Sequence, residues 1–313
     1  MTEKSFSLSC DRNHRWVKPI MKLTDNVFGA IFMAVSMLSF IGNDALMKFL
    51  FQTISVEQGI FMRGLVSVPL LAMIAYFRKS LFIRIDWRNW RLILVRAFAE
   101  LASTMLFLTA LAHMPLANIT AILQSLPLTV TMFAAVFFGE AVGWRRWSAI
   151  LVGFIGVLII IRPGSAGFNE YAVLALVAVG FITLRDAITR RLDRSVPSLF
   201  VAFVSAIPVL LFGGAMIVTT GWTPISWSMG MIVLVAAIAI TCGYSFAVMA
   251  MRNGDISFVA PFRYTGMIWA ILFGFLLFGN LPDQMTILGS CIVIGMGGYA
   301  FHRERVRQKA IAT

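Results

Sequence analysis

Seven ionisable residues lie inside stretches that are otherwise apolar: Asp44, Arg63, Arg96, Glu100, Arg185, Asp186 and Arg263. In hydrocarbon, a charged side chain at a helix centre costs at least about 2.5 to 3.5 kcal/mol, so each requires a partner or water. Arg96 and Glu100 are four residues apart and pair on one helix face. Asp44 sits late in the first apolar run and Arg63 early in the second, which places both near one surface. Asp186 and Arg263 are expected to meet likewise near the other. Such pairs either line a pathway, binding a polar or anionic group or exchanging protons, or staple helices together. Arg185 is expected to reach the interface by snorkelling. Gln124 and Ser125 correspond, at an offset of 140 residues, to Tyr264 and Thr265, so two related segments place hydrogen-bonding groups at matching depth beside Pro127 and Pro261. Tyr244, Trp269, Phe40 and Phe107 offer flat faces to a planar ligand, or packing surface to lipid and neighbouring helices. The proposed substrate-binding set is thus Gln124, Ser125, Tyr264, Trp269, Tyr244, Arg96 and Glu100, with Asp44, Arg63, Asp186 and Arg263 as gating or coupling groups.

The elements that must hold these residues are set by hydropathy. At 59% hydrophobic residues and a mean hydropathy of +0.87, the chain has too little polar surface for water and suits a bilayer. Ten runs are long enough to span about 30 Å of hydrocarbon: roughly 27–47, 58–77, 92–112, 118–138, 147–161, 171–189, 198–220, 229–251, 258–278 and 284–301. Backbone groups in lipid must pair within their own segment, and barrel-type alternation is absent, so the runs are predicted to be helices. Turn chemistry separates them, as in His113-Met114-Pro115, Arg162-Pro163-Gly164 and Asn253-Gly254-Asp255.

Sequence from Leu92 to Glu140 recurs without a gap 140 residues on, with Phe138-Gly139 falling on Phe278-Gly279. Upstream the register drifts by two, pairing Asp44 with Asp186; downstream Gly153 falls on Gly289. Two five-span repeats, 27–162 and 163–302, follow, flanked by a polar segment, 1–26, and a basic tail, 303–313. An odd number of spans per repeat predicts that the second enters the membrane upside down. Basic residues orient the bundle. Arg78, Lys79, Arg84, Arg88, Arg91, Arg145, Arg146, Arg190, Arg191, Arg194, Arg252 and the basic residues of both termini fall on one side, against Lys48 and Arg162 in the segments on the other. Both termini are therefore expected in the cytoplasm, with the first span an uncleaved helix.

A net charge of +12 brings nucleic acid to mind, but no basic run is interleaved with aromatics, and topology explains the charge. Cys10, Cys242 and Cys291 lack the spacing of a disulfide framework or zinc site, so no metal or other cofactor is expected. His14, His113 and His302 lie at span ends or outside them, and no Gly-x-Ser-x-Gly occurs, which argues against an intramembrane enzyme.

Phe61-x-Arg63-Gly64, Val95-Arg96-Ala97, Ala112-x-Met114-Pro115-Leu116-Ala117, Phe138-Gly139-Glu140 and Gly153-x-x-Gly156-Val157-x-x-Ile160 together resemble the EamA-type branch of the drug/metabolite transporter superfamily. The wording of the third to fifth spans is similar to the bacterial riboflavin-uptake transporters. The resemblance implies an all-α carrier of a small organic metabolite in the bacterial cytoplasmic membrane, with two inverted repeats around a central cavity. Uptake of riboflavin is the leading expectation. Amino acids and S-adenosylmethionine-like solutes, in either direction, are the alternatives, and a membrane structural protein a distant one. Glu140 reads as a loop anchor. Gly289, Gly295 and Gly298 permit close packing, within the bundle or against a second copy in a homodimer.

Overall fold

The computed structural model describes residues 23–312 apart from 82, 141, 164–168, 194 and 254–255. The polar amino-terminal segment with Cys10 and His14 lies almost wholly outside the described residues, as do Gly164, Arg194, Gly254 and Asp255. The helices are α1 (Leu23–Leu50), α2 (Val56–Phe77), α3 (Trp87–His113), α4 (Leu116–Leu123), α5 (Leu126–Phe138), α6 (Trp144–Ile161), α7 (Tyr171–Thr189), α8 (Ser198–Thr220) and α9 (Trp227–Asn253). A short α10 (Ile256–Val259) and a 3₁₀ turn (Ala260–Tyr264) lead into α11 (Thr265–Phe278), and α12 (Gln284–Ala312) ends the bundle. Among the described residues these make ten spans long and apolar enough to cross a membrane. An even number of crossings puts residues 23 and 312 on the same side, called here the terminal side.

The fourth and ninth spans are the broken ones. At the first break, Ser125 N–H bonds back only three residues, to Ile122 O at 3.1 Å, and Pro127 has no N–H to continue the ladder. Pro261 does the same in the 3₁₀ turn. The breaks fall at 124–125 and 264–265, matching positions of the repeat. Both spans then end alike. Gly139 and Gly279 adopt left-handed φ of 66° and 65°, and the following N–H groups, of Glu140 and Asn280, close on Ala134 O and Gly274 O at 3.2 and 3.0 Å. This is the glycine-ended closure that satisfies orphan helix carbonyls. Glu140 therefore anchors the loop through its backbone.

Helix packing keeps its pattern when the two sets of five spans are exchanged. α1 packs on α9 and α3 on α7; α2 packs on α8, and α6 on α12. The α6–α12 crossing is close enough that a Cβ on Gly289 would lie 2.6 Å from Gly156 O and from the Ile160 side chain, while one on Gly153 would collide with Leu128 of α5. Gly289 thus serves packing inside the chain, whereas a Cβ on Gly295 or Gly298 would meet nothing.

The main apolar core joins Ile41 and Ala45 of α1, Leu108 and Leu111 of α3, Leu116 to Ile122 of α4, Val157 to Ile161 of α6 and Ala172 to Val179 of α7. By helix direction these all lie toward the side opposite the termini, which they seal. Lys48, expected among the sparse basic residues between spans on that side, lies instead within α1, which runs on to Leu50 and buries it. Its ammonium donates to Leu111 O at 2.8 Å and Ala112 O at 3.4 Å, and lies 5.5 Å from the Phe278 ring centroid. A cation at the carboxyl end of α3 satisfies orphan carbonyls and the helix dipole together.

Candidate functional site

A cavity of about 390 Å³ lies within the bundle, its lining running from residues such as Asp44 and Glu100 to residues nearer the terminal side such as Met33, Asp186 and Ala247. Its walls come from α1, α3, α4, α7, α9 and the 3₁₀ turn, with Arg63 from α2, Leu126 and Pro127 from the start of α5 and Gly266 from the start of α11. Of the residues singled out from the sequence, Asp44, Arg63, Glu100, Gln124, Asp186, Tyr244, Arg263 and Tyr264 line it, as do Phe40 and Phe107.

The lining positions come in pairs. Glu100 and Ile240, Thr104 and Tyr244, Phe107 and Ala247, Leu123 and Arg263, Gln124 and Tyr264, and Leu126 and Gly266 are each separated by 140 residues. Phe40 and Ile182, Asn43 and Arg185, and Asp44 and Asp186 pair in the shifted register upstream. Gln124 Nε2 donates to Tyr264 O at 3.2 Å, so two equivalent residues touch each other. The Asn43 amide donates to Asp44 Oδ1 and the Arg185 guanidinium to Asp186 Oδ1, both at 2.9 Å. Equivalent positions thus make equivalent bonds, and the cavity sits where the two halves meet.

The charges form one network and one outlier. Glu100 is its node: Arg185 Nη1 donates to both carboxylate oxygens, at 3.2 and 3.4 Å, and Arg96 Nη2 lies 3.6 Å away. Arg185 also holds Asp186, so it bridges two carboxylates. The expectation that Arg185 snorkels is corrected: the Glu100 carboxylate on α3 draws it inward, and Asp186 pairs with it rather than with Arg263. Arg96 pairs with Glu100 as the spacing predicts, but faces away from the main cavity. It donates to Thr189 Oγ1 at 3.0 Å and Ser205 Oγ at 2.5 Å, tying α3 to α7 and α8, and it lines a smaller adjoining pocket of about 80 Å³.

Asp44 and Arg63 are close enough to interact electrostatically, as the run order suggests, though not within the 4 Å of an ion pair. Ser125 and Trp269 do not line the cavity. The Ser125 hydroxyl is turned onto its own backbone, donating to Ile122 O at 2.7 Å, because the helix break frees that carbonyl. Trp269 packs against the main core. Tyr264 presents part of its side chain to the cavity while its hydroxyl is directed at α12, where a Cβ on Gly297 would collide with it. The Phe40 ring, singled out from the sequence together with Tyr244, is set edge-on to it at 5.1 Å and 81°, and can approach α9 because Gly243 has no side chain; Asn43, Ser103 and Thr104, which also line the cavity, were not singled out.

A ten-span bundle with a cavity lined by charged and polar residues from both halves of the chain is the architecture of a membrane transport protein. The EamA-like transporter family model matches residues 27–162 and 170–298, and the chain belongs to that family, of drug/metabolite transporter type. An S-adenosylmethionine uptake transporter of Rickettsia conorii is 23% identical over 273 residues, covering 87% of this chain and 91% of its own. A pseudopaline exporter of Pseudomonas aeruginosa is 22% identical over 272 residues, covering 85% and 93%. A riboflavin transporter of Vibrio cholerae is 28% identical over 231 residues, covering 72% and 76%. A solved crystal structure superposes with a TM-score of 0.60 at 15% identity, covering 89% of this chain and 99% of its own, and bears on the fold alone.

Proposed function

We propose that the protein is a secondary carrier of the bacterial cytoplasmic membrane that moves a small, polar, ring-bearing metabolite by alternating access. The observation that carries this reading is the paired lining: a cavity built from equivalent positions of two repeats can open to either side when one repeat rocks against the other. With five spans in each repeat, the second is inverted relative to the first. The basic segments put both termini in the cytoplasm. On that orientation the cavity faces inward, with the outer side closed by the core around Lys48.

Riboflavin and S-adenosylmethionine are the two solutes to test first. The aromatic pair Phe40 and Tyr244 suits a planar ring of either, and relatives bear both names. Flux of labelled riboflavin and labelled S-adenosylmethionine into vesicles reconstituted with the purified protein decides the matter. Saturable uptake of one, competed by its unlabelled form, is expected. Vesicles no more permeable than protein-free ones to either solute would remove both substrates. Growth of a riboflavin auxotroph on low external vitamin, dependent on this protein, would establish direction as well as substrate.

A further inference from the structure

Arg63 is 8% exposed and faces both the main cavity and the smaller pocket behind it. Among the described residues it has no hydrogen bond and no ion pair within 4 Å. The other two guanidiniums of the network are fully engaged, Arg96 by Thr189, Ser205 and Glu100, and Arg185 by Glu100 and Asp186. The carboxylates are committed too. Glu100 is divided between two arginines and Asp186 accepts from Arg185, while Asp44 accepts a hydrogen bond from Asn43 and faces Arg63 only across more than 4 Å. Counting formal charges around the two spaces, Arg63, Arg96, Arg185 and Arg263 face Asp44, Glu100 and Asp186, which leaves one positive charge over.

A guanidinium is a rigid fork of donors matched to a planar oxyanion. Largely buried by its neighbours, with Asp44 as counter-charge beyond 4 Å and no direct hydrogen bond among the described residues, the Arg63 guanidinium borders both spaces and keeps its fork open to a guest there. We propose that Arg63 is the receptor for a carboxylate on the transported solute, which makes the substrate class carboxylate-bearing metabolites, with the ring portion against Phe40 and Tyr244. The Ser67 and Thr104 hydroxyls face the same pocket and supply further donors to that carboxylate. This inference rests on the carrier reading and narrows it: S-adenosylmethionine falls inside the class, and riboflavin, which has no carboxylate, falls outside.

The test uses probe pairs that differ in the carboxylate: S-adenosylmethionine with its decarboxylated form, and tryptophan with tryptamine. Binding to the full chain in lipid nanodiscs is read by thermal shift, and flux by vesicle uptake. At least one carboxylate member is expected to stabilise the wild type while its partner does not. Arg63→Gln should weaken that binding about ten- to hundredfold, the loss of charge-assisted hydrogen bonds, and Arg63→Lys should fall between. Equal binding of both members, binding of neither in every pair, or unchanged selectivity in a folded Arg63→Gln would overturn the proposal. Because the pairs are compared on the wild type first, a variant that does not fold still leaves a decision. Selective binding without flux would keep the carboxylate subsite and refute carriage, and equal flux of both members would do the reverse.

Discussion

Replacing Glu100 by glutamine removes the node of the charge network while keeping its shape. The side chain is 15% exposed, so its bonds are only weakly screened. Three contacts weaken at once: two from Arg185, at 3.2 and 3.4 Å, and the longer approach of Arg96 at 3.6 Å. Neither cation is stranded, since Arg185 keeps Asp186 and Arg96 keeps Thr189 and Ser205. The cost therefore falls below the 3–5 kcal/mol of an orphaned buried charge, nearer the ~1.5 to 3 kcal/mol of lost charge-assisted hydrogen bonds. At about 2 to 4 °C per kcal/mol in a large chain, the unfolding midpoint in detergent should drop by about 3 to 12 °C. Variants are compared at one scan rate, because such unfolding is often irreversible. Vesicle uptake should fall at least about tenfold. A double-mutant cycle with Arg185→Gln should show a coupling of about 1 kcal/mol or more, and one with Arg96→Gln a smaller coupling, matching the longer contact. An unchanged midpoint with uptake within about twofold, or a strictly additive cycle with Arg185, would refute the reasoning.

Arg96→Ala should slow uptake severely, at normal membrane levels, by loosening α3 from α7 and α8; unchanged uptake would leave its bonds to Thr189 and Ser205 a matter of packing alone. Gly289→Leu should lower the thermal midpoint more than Gly295→Leu, because only the first meets backbone across the α6–α12 crossing; an overpacked helix contact costs about 1–3 kcal/mol. Cysteine placed at Ala247 in a background lacking Cys10, Cys242 and Cys291 should react with an impermeant thiol reagent supplied from the terminal side, and cysteine at buried Met114 should not; the opposite pattern would mean the cavity opens the other way. Asp86, outside the spans, is held below the ordinary carboxylate range mainly by the Asn89 amide at 2.5 Å. Its folded-state value being lowered, its contribution to stability is present at neutral pH and fades as pH falls through that value. Asn89→Ala should flatten that part of an acid-unfolding curve.

Span number, the interrupted fourth and ninth spans and the equivalent glycine ends were all legible in the sequence. Each rests on local chemistry: twenty-odd apolar residues, a proline without an N–H, a glycine where φ must be positive. The membership of the cavity was legible in part. Gln124 and Tyr264 were found because an offset brought them into register, and the structure joins them by a hydrogen bond. Arg185 was misplaced because position along a span gives depth but not azimuth. Its depth suited an interfacial residue, and only the packing of α7 on α3 puts Glu100 within its reach. Ser125 failed for a related reason: a hydroxyl beside a helix break has a carbonyl of its own backbone to bond. Lys48 was hidden by the end of α1, where an ordinary loop cation and a buried cap have the same spelling.

The paired lining has a consequence for recognition. A chamber made from two identical copies would offer any asymmetric guest two docking poses of equal energy, and half of the encounters would present the wrong end to the exit. Here Glu100 has Ile240 as its counterpart 140 residues on, Leu123 has Arg263, and Thr104 has Tyr244. Unlike residues at these matching positions lift that degeneracy: the helices pack in a paired pattern, while the surface a guest would read is asymmetric.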